Sequence, residues 1–219
     1  MNEFIKLTVQ NWQNAWYNKA FRTTLILETV ILITLLVSTS FFFSYIEDLK
    51  QGIVLNDWVL KRLPAVDVSV PIVFLMSSVV LLYIIRCATN PNLVILYVMA
   101  VLFQLVFRII TINFTRFLAP QELIALNDPI ANVLYQSRFI TKDLFYSGHT
   151  AAMFLFFLCA NKKADKYYIL FSTITVGFLL LVQHVHYTID VAFAPAFAFL
   201  AYWLGKKILA FQNPYVIGS

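Results

Sequence analysis

Apolar residues dominate six stretches of this chain, each close to the roughly 20 residues needed to cross a hydrocarbon core of about 30 Å. They run over residues 23–46, 67–85, 93–114, 144–160, 167–188 and 189–211. Two polar connections are long, 47–66 and 115–143, and two are short, 86–92 and 161–166. The last two runs nearly touch, so a tight turn near 188–194 must separate them. Before the first run, Ile5, Val9, Trp12 and Trp16 recur at helical spacing, with Lys6, Lys19 and Arg22 elsewhere on the wheel. That pattern predicts an amphipathic helix lying in the membrane interface over 1–22; a solvated tail is the alternative. The expected architecture is all-α: a six-transmembrane-helix bundle over 23–211, the interfacial helix before it, and a short cytoplasmic tail at 212–219. No repeat, low-complexity tract or Gly/Ser linker divides the chain, which reads as one domain.

Composition agrees with the pattern. The chain is 61% hydrophobic and 12% charged, with a mean hydropathy of +0.78. A soluble domain of 219 residues could not hide that much apolar surface. The net charge of +5 then calls for no nucleic acid, because Lys and Arg at membrane edges set topology and meet anionic lipid. With six spans both termini share a side. That side collects Lys6, Lys19, Arg22, Arg86, Lys162, Lys163, Lys166, Lys206 and Lys207. The other holds Lys50, Lys61, Arg62, Arg116, Arg138 and Lys142, diluted by most of the acids. The bias places both termini in the cytoplasm. Cys87 and Cys159 fall at the cytoplasmic ends of apolar runs and are expected as free thiols. No Cys/His spacing suited to a metal occurs, and neither a metal nor a cofactor is expected. Nothing in the chain argues against a homo-oligomer.

Polar residues are costly inside a membrane and mark functional sites. All three histidines fall in two short motifs, Asp143-x3-Ser147-Gly148-His149-Thr150 and His184-x-His186-Tyr187-Thr188-x-Asp190. The six-span topology brings both to the outer face. On a helix His186 and Asp190 share one face, and a carboxylate beside an imidazole fixes its tautomer and prepares it for base or nucleophile work. Helix-end histidines with a capping aspartate are the plainer alternative.

Together the motifs resemble the third and fourth signature motifs of the sphingomyelin synthase family, a branch of the type-2 phosphatidic acid phosphatase superfamily. Leu63-Pro64-Ala65-Val66-Asp67 resembles the first signature, and Arg108 through Thr111 with Thr115 and Pro120 loosely resembles the second. The chain departs from the family at Thr141-Lys142, where Cys-Gly is usual, and in the reduction of an arginine-rich element to Arg108. The resemblance implies a six-span enzyme moving a phospho-headgroup from a glycerophospholipid donor to a ceramide-like lipid alcohol. It implies His186 as nucleophile, Asp190 as its orienting carboxylate and His149 as the acid/base.

Asp143, Ser147, Arg108, Tyr187 and His184 complete the candidate set as substrate-binding residues. Each has a plainer role open to it. Asp143 would serve as a helix N-cap, Arg108 would snorkel to the interface, and Tyr187 would be an interfacial aromatic. Ser147 would bond the helix backbone, and His184 would support His186 or simply pack. A lipid phosphate phosphatase or phospholipase C-like hydrolase is the competing activity. Phosphatases of the superfamily generally show Lys-x6-Arg-Pro and an arginine before the last histidine. Here Leu179, Leu180 and Leu181 fill that region, which favours a diester substrate. A small transporter is disfavoured, because the polar residues gather at one face rather than at the midplane.

Overall fold

The computed structural model describes residues 3–49, 51–129 and 140–212; Lys50, Arg138 and all of the expected 212–219 tail but Gln212, which ends the last helix, lie outside the described residues. Seven α-helices occur among them: α1 (Glu3–Tyr17), α2 (Lys19–Asp48), α3 (Ser69–Thr89), α4 (Pro91–Thr115), α5 (Gly148–Cys159), α6 (Lys163–Val182) and α7 (Thr188–Gln212). No β-strand occurs among the described residues, only an isolated parallel bridge between Ile53 and Phe117. Helices α2, α3, α4, α6 and α7 are each long and apolar enough to cross a membrane. The chain is a multi-pass helical membrane protein, as its apolar pattern predicts.

Two expectations are corrected in detail. The fourth predicted span, 144–160, holds a helix of only 12 residues, α5. At 1.5 Å per residue α5 rises about 18 Å, short of the hydrocarbon thickness. Residues 144–147 do not extend it because their backbone is bonded elsewhere: Thr111 donates to the Phe145 carbonyl at 2.9 Å, and the Ser147 N–H donates to Asp190 O at 3.0 Å. The second correction moves the turn between the last two spans from 188–194 to 183–187, since α7 already begins at Thr188.

Local chemistry explains most helix ends. Asn18 caps α2 by accepting the Ala20 and Phe21 N–H groups, so Lys19–Arg22 belongs to α2 rather than to the interfacial helix. Asn90 caps α4 with Pro91 at its first position, and Ser147 caps α5. Helix α1 buries none of its side chains, and Ile5, Val9 and Trp16 are exposed. It is tethered rather than loose. Trp12 Nε1 donates to Ala88 O at 3.0 Å and Asn11 Nδ2 to Thr89 O at 2.7 Å. Both acceptors are last-turn carbonyls of α3 that no intrahelical donor reaches.

Helix α4 is central, packing against α2, α5 and α7. Phe21 of α2, Ile95 and Met99 of α4 and Leu209 of α7 form one buried cluster, so the start of α2 and the end of α7 share one end of the bundle. Small residues bring α7 close: Ala194 and Ala198 are fully buried against Tyr146, and a Cβ on Gly205 would stand 3.2 Å from the Ala100 nitrogen. Arg86 and Asp165 join α3 to α6 at that same end, at 2.7 Å. Cys87 and Cys159 are free thiols. At the opposite end the 51–68 and 116–129 segments meet the 183–187 turn, and there both histidine motifs lie.

Candidate active site

Helix α6 ends in a Schellman turn. The Val185 N–H returns to Leu180 O and the His184 N–H to Leu181 O, both at 3.0 Å, with His184 left-handed at φ 55°. Two residues later α7 starts with the returning half of a capping box. Asp190, at the third helical position, accepts the Tyr187 N–H at 2.9 Å. From outside, Asp57 accepts the Thr188 N–H at 2.6 Å and the Thr188 hydroxyl at 2.9 Å. The capping aspartate and the histidine partner are the same residue. Asp190 Oδ2 also faces His186 Nδ1, 3.4 Å away. His186 stands in the turn, not on α7, so the pair meets through the cap rather than through a shared helix face.

Both groups are shut away from solvent, with His186 at 2% and Asp190 at 0% exposure. A carboxylate facing Nδ1 favours the tautomer with its proton on that nitrogen and the lone pair on Nε2. The backbone bond from Ser147 to Asp190 docks the start of α5 on the start of α7. That contact sets His149 beside His186, with ring centroids 6.4 Å apart and planes at 64°. His149 Nε2 lies 2.9 Å from Asp128 Oδ2, which leaves Nδ1 outside that contact. The site is thus two imidazoles, each backed by its own carboxylate. Asp128 gave no signal in the sequence. Asn127-Asp128-Pro129 reads as an ordinary turn, and only folding brings it across 21 residues to His149.

Arg108 reaches the same place from α4. Its guanidinium pairs with the Asp143 carboxylate and donates to the Tyr146 carbonyl, and it is buried. Asp143 therefore orients Arg108, while the α5 cap belongs to Ser147. Gly148 makes room for this. A Cβ there would stand 2.9 Å from both Arg108 Cζ and Nη1. At the Thr141-Lys142 departure both side chains bond Glu47, near the end of α2: the Thr141 hydroxyl donates to its carboxylate and Lys142 Nζ to its main-chain carbonyl, each at 2.8 Å.

Of the remaining predicted site residues, Ser147 stays at the α5 cap while Tyr187 and His184 bond the loops. Ser147 is fully buried and faces Thr150. The Tyr187 hydroxyl accepts the Leu55 N–H at 3.3 Å and donates to Leu118 O at 2.9 Å. His184 directs Nδ1 at Gln121 O and Nε2 at Leu63 O, each at 3.1 Å. These two residues also wall an open cavity of about 430 Å³ with Asn56, Lys61 and Glu122, and neither His149 nor His186 lines it. Among the described residues no three His, Cys, Asp or Glu side chains gather as a metal site would require.

No curated protein and no solved structure matches the chain. Residues 142–207, which carry both histidine motifs, α5, α6 and most of α7, match the family model described as PAP2 superfamily C-terminal. That match supports the type-2 phosphatidic acid phosphatase superfamily, and with it a lipid phosphatase or phosphotransferase-type activity on phospholipid phosphate esters.

Proposed function

We propose that the chain moves the phospho-headgroup of a glycerophospholipid to a ceramide-like lipid hydroxyl through a phosphohistidine. His186 Nε2 attacks phosphorus while Asp190 holds the Nδ1 proton and balances the imidazolium that forms. The P–O bond to diacylglycerol breaks, and its oxygen takes a proton from His149. The acceptor hydroxyl then attacks phosphorus, His149 takes the hydroxyl proton, and the P–N bond to His186 breaks. One group reversing its role in this way contributes typically 10²–10⁴-fold.

The carrying observation is the paired arrangement itself, two rings 6.4 Å apart with a carboxylate behind each. Rings this close can address one phosphorus and its departing oxygen, since proton transfer needs a reach of about 2.6–3.2 Å. The diester reading is supported by the sequence, where Leu179, Leu180 and Leu181 fill the region in which phosphatases of the superfamily carry an arginine.

The cation-rich end of the bundle, with Lys19, Arg22, Arg86, Lys162 and Lys206, supports a cytoplasmic location for that end. The site then faces the periplasm or lumen, on the opposite side. The deciding assay supplies purified protein with labelled phosphatidylethanolamine or phosphatidylcholine, with and without ceramide. Labelled headgroup should appear on ceramide, and His186→Ala should abolish transfer. Diacylglycerol release unaffected by any acceptor would instead mean a hydrolase.

A further inference from the structure

The Pro-x-x-Asp stretch before α3 has no part in the chemistry above, yet hydrogen bonds join it to the candidate acid/base. Asp67 Oδ1 accepts the Ser69 N–H at 2.9 Å and the Ser69 hydroxyl at 2.7 Å. With its proton spent on Asp67, Ser69 Oγ can only accept from its other neighbours. Gln183 Nε2 donates to it at 2.8 Å and the Asn127 N–H at 3.3 Å.

Gln183 is wholly buried and its amide orientation is set by its partners. Oε1 accepts the Val68 N–H at 3.2 Å, while Nε2 also meets Ala125 O at 3.2 Å and Ile124 O at 3.4 Å. Its main-chain carbonyl accepts the Ile124 N–H at 3.2 Å. Residues 124, 125 and 127 are thereby bonded to Gln183 and Ser69, and the next residue is Asp128, 2.9 Å from His149.

We infer that Ser69, held by Asp67 and joined to Gln183, is a positioning residue that sets the acid/base function of His149 through the Asp128 carboxylate. The inference rests on the proposed role of His149. A ring whose partner arrives on a loop has no fixed direction until the loop is fixed. Misplacing a catalytic group by about 1 Å costs on the order of 10²-fold.

The test is a double-mutant cycle of Ser69→Ala and Asp128→Asn, read as diacylglycerol release from phosphatidylethanolamine in detergent micelles that also contain ceramide. Ser69→Ala should lower kcat roughly 10- to 10²-fold with KM unchanged. Ser69→Thr, which keeps the hydroxyl, should restore it. In the Asp128→Asn protein the same change should add little. The three histidines allow a second readout that does not depend on substrate, using ¹⁵N-histidine NMR with His149→Gln for assignment. Ser69→Ala should move the His149 ring signals toward those of Asp128→Asn and leave those of His186 in place. If Ser69→Ala fails to fold, exposed Asp67→Ala takes its place and should shift both readouts the same way. A full Ser69 effect persisting in Asp128→Asn, a loss confined to KM, or unmoved His149 signals would overturn the inference. Wild-type activity in His149→Gln would instead overturn the proposed function on which it rests.

Discussion

Gly148→Ala is a one-carbon probe of whether Arg108 belongs to the site. The added Cβ would lie 2.9 Å from Arg108 Cζ and Nη1 and 3.2 Å from Nη2. Ordinary carbon contacts are about 3.5–4.0 Å, so the guanidinium must withdraw by roughly 0.6 Å or more. It has little freedom to do so, being buried between Asp143 and the Tyr146 carbonyl. Breaking a buried ion pair costs about 3–5 kcal/mol, so the pair shifts together instead, at an overpacking cost of about 1–3 kcal/mol. Alanine in a helix regains up to about 1 kcal/mol over glycine. The net expectation is a loss of about 1–2 kcal/mol, measured as the shift in unfolding midpoint in detergent. Activity should fall more than stability implies, on the order of 10²-fold, on the proposal that Arg108 binds the phosphate of the substrate.

Arg108→Lys in the Gly148→Ala protein supplies the control. Lysine lacks Cζ and both terminal nitrogens of the fork, so stability should recover by about 1 kcal/mol as a coupling term while activity stays low. Wild-type stability and turnover in Gly148→Ala would refute the reasoning, since the guanidinium would then have slack that its contacts deny.

Other consequences follow from the caps and from one buried acid. Burial works against the charged form of Asp57, but the N–H groups of Thr188, Leu60 and Val59 and the Thr188 hydroxyl hold its carboxyl below the ordinary value. A lowered folded value means stability that is present above the unfolded value near pH 3.9 and lost as pH falls through the folded one. Asp57→Ala should therefore cost about 1 kcal/mol at neutral pH and flatten the acid limb of a stability–pH curve. Glu28 is buried in α2, and neither carboxylate oxygen finds a hydrogen-bond partner among the described residues. Glu28→Met should be neutral or stabilising by up to about 2 kcal/mol in detergent unfolding, and a loss above that range would reveal a partner. Asn11→Ala and Trp12→Phe each strip a donor from the last turn of α3. Each should cost about 1 kcal/mol and speed hydrogen exchange at that helix end before anywhere else.

Apolar run length was enough to read the helical membrane bundle, because a lipid-facing backbone must satisfy itself within each helix. It was also enough to gather all three histidines at one end, since the alternation of spans dictates which connections share a face. Boundaries needed more. Nothing in the run over 144–160 says that its first residues give their backbone bonds to α4 and α7, which leaves α5 at 12 residues. The turn at 183–187 depends on a left-handed histidine, a conformation with no residue signature as strong as glycine.

The site divides the same way. His186 and Asp190 were legible as a pair because four residues separate them, although a helix cap rather than a helix face brings them together. Arg108 and Asp143 were each visible as polar residues beside apolar runs, but their pairing was not, with 35 residues between them. Asp128, Gln183 and Ser69 were invisible as functional candidates. A carboxylate in a polar connection, and an amide and a hydroxyl near the ends of apolar runs, look like any others until three distant segments fold against one turn. Local spacing decides which residues can meet along one element. Only tertiary packing decides which loop supplies the partner, because hydrogen-bond geometry depends on distances that sequence separation does not encode.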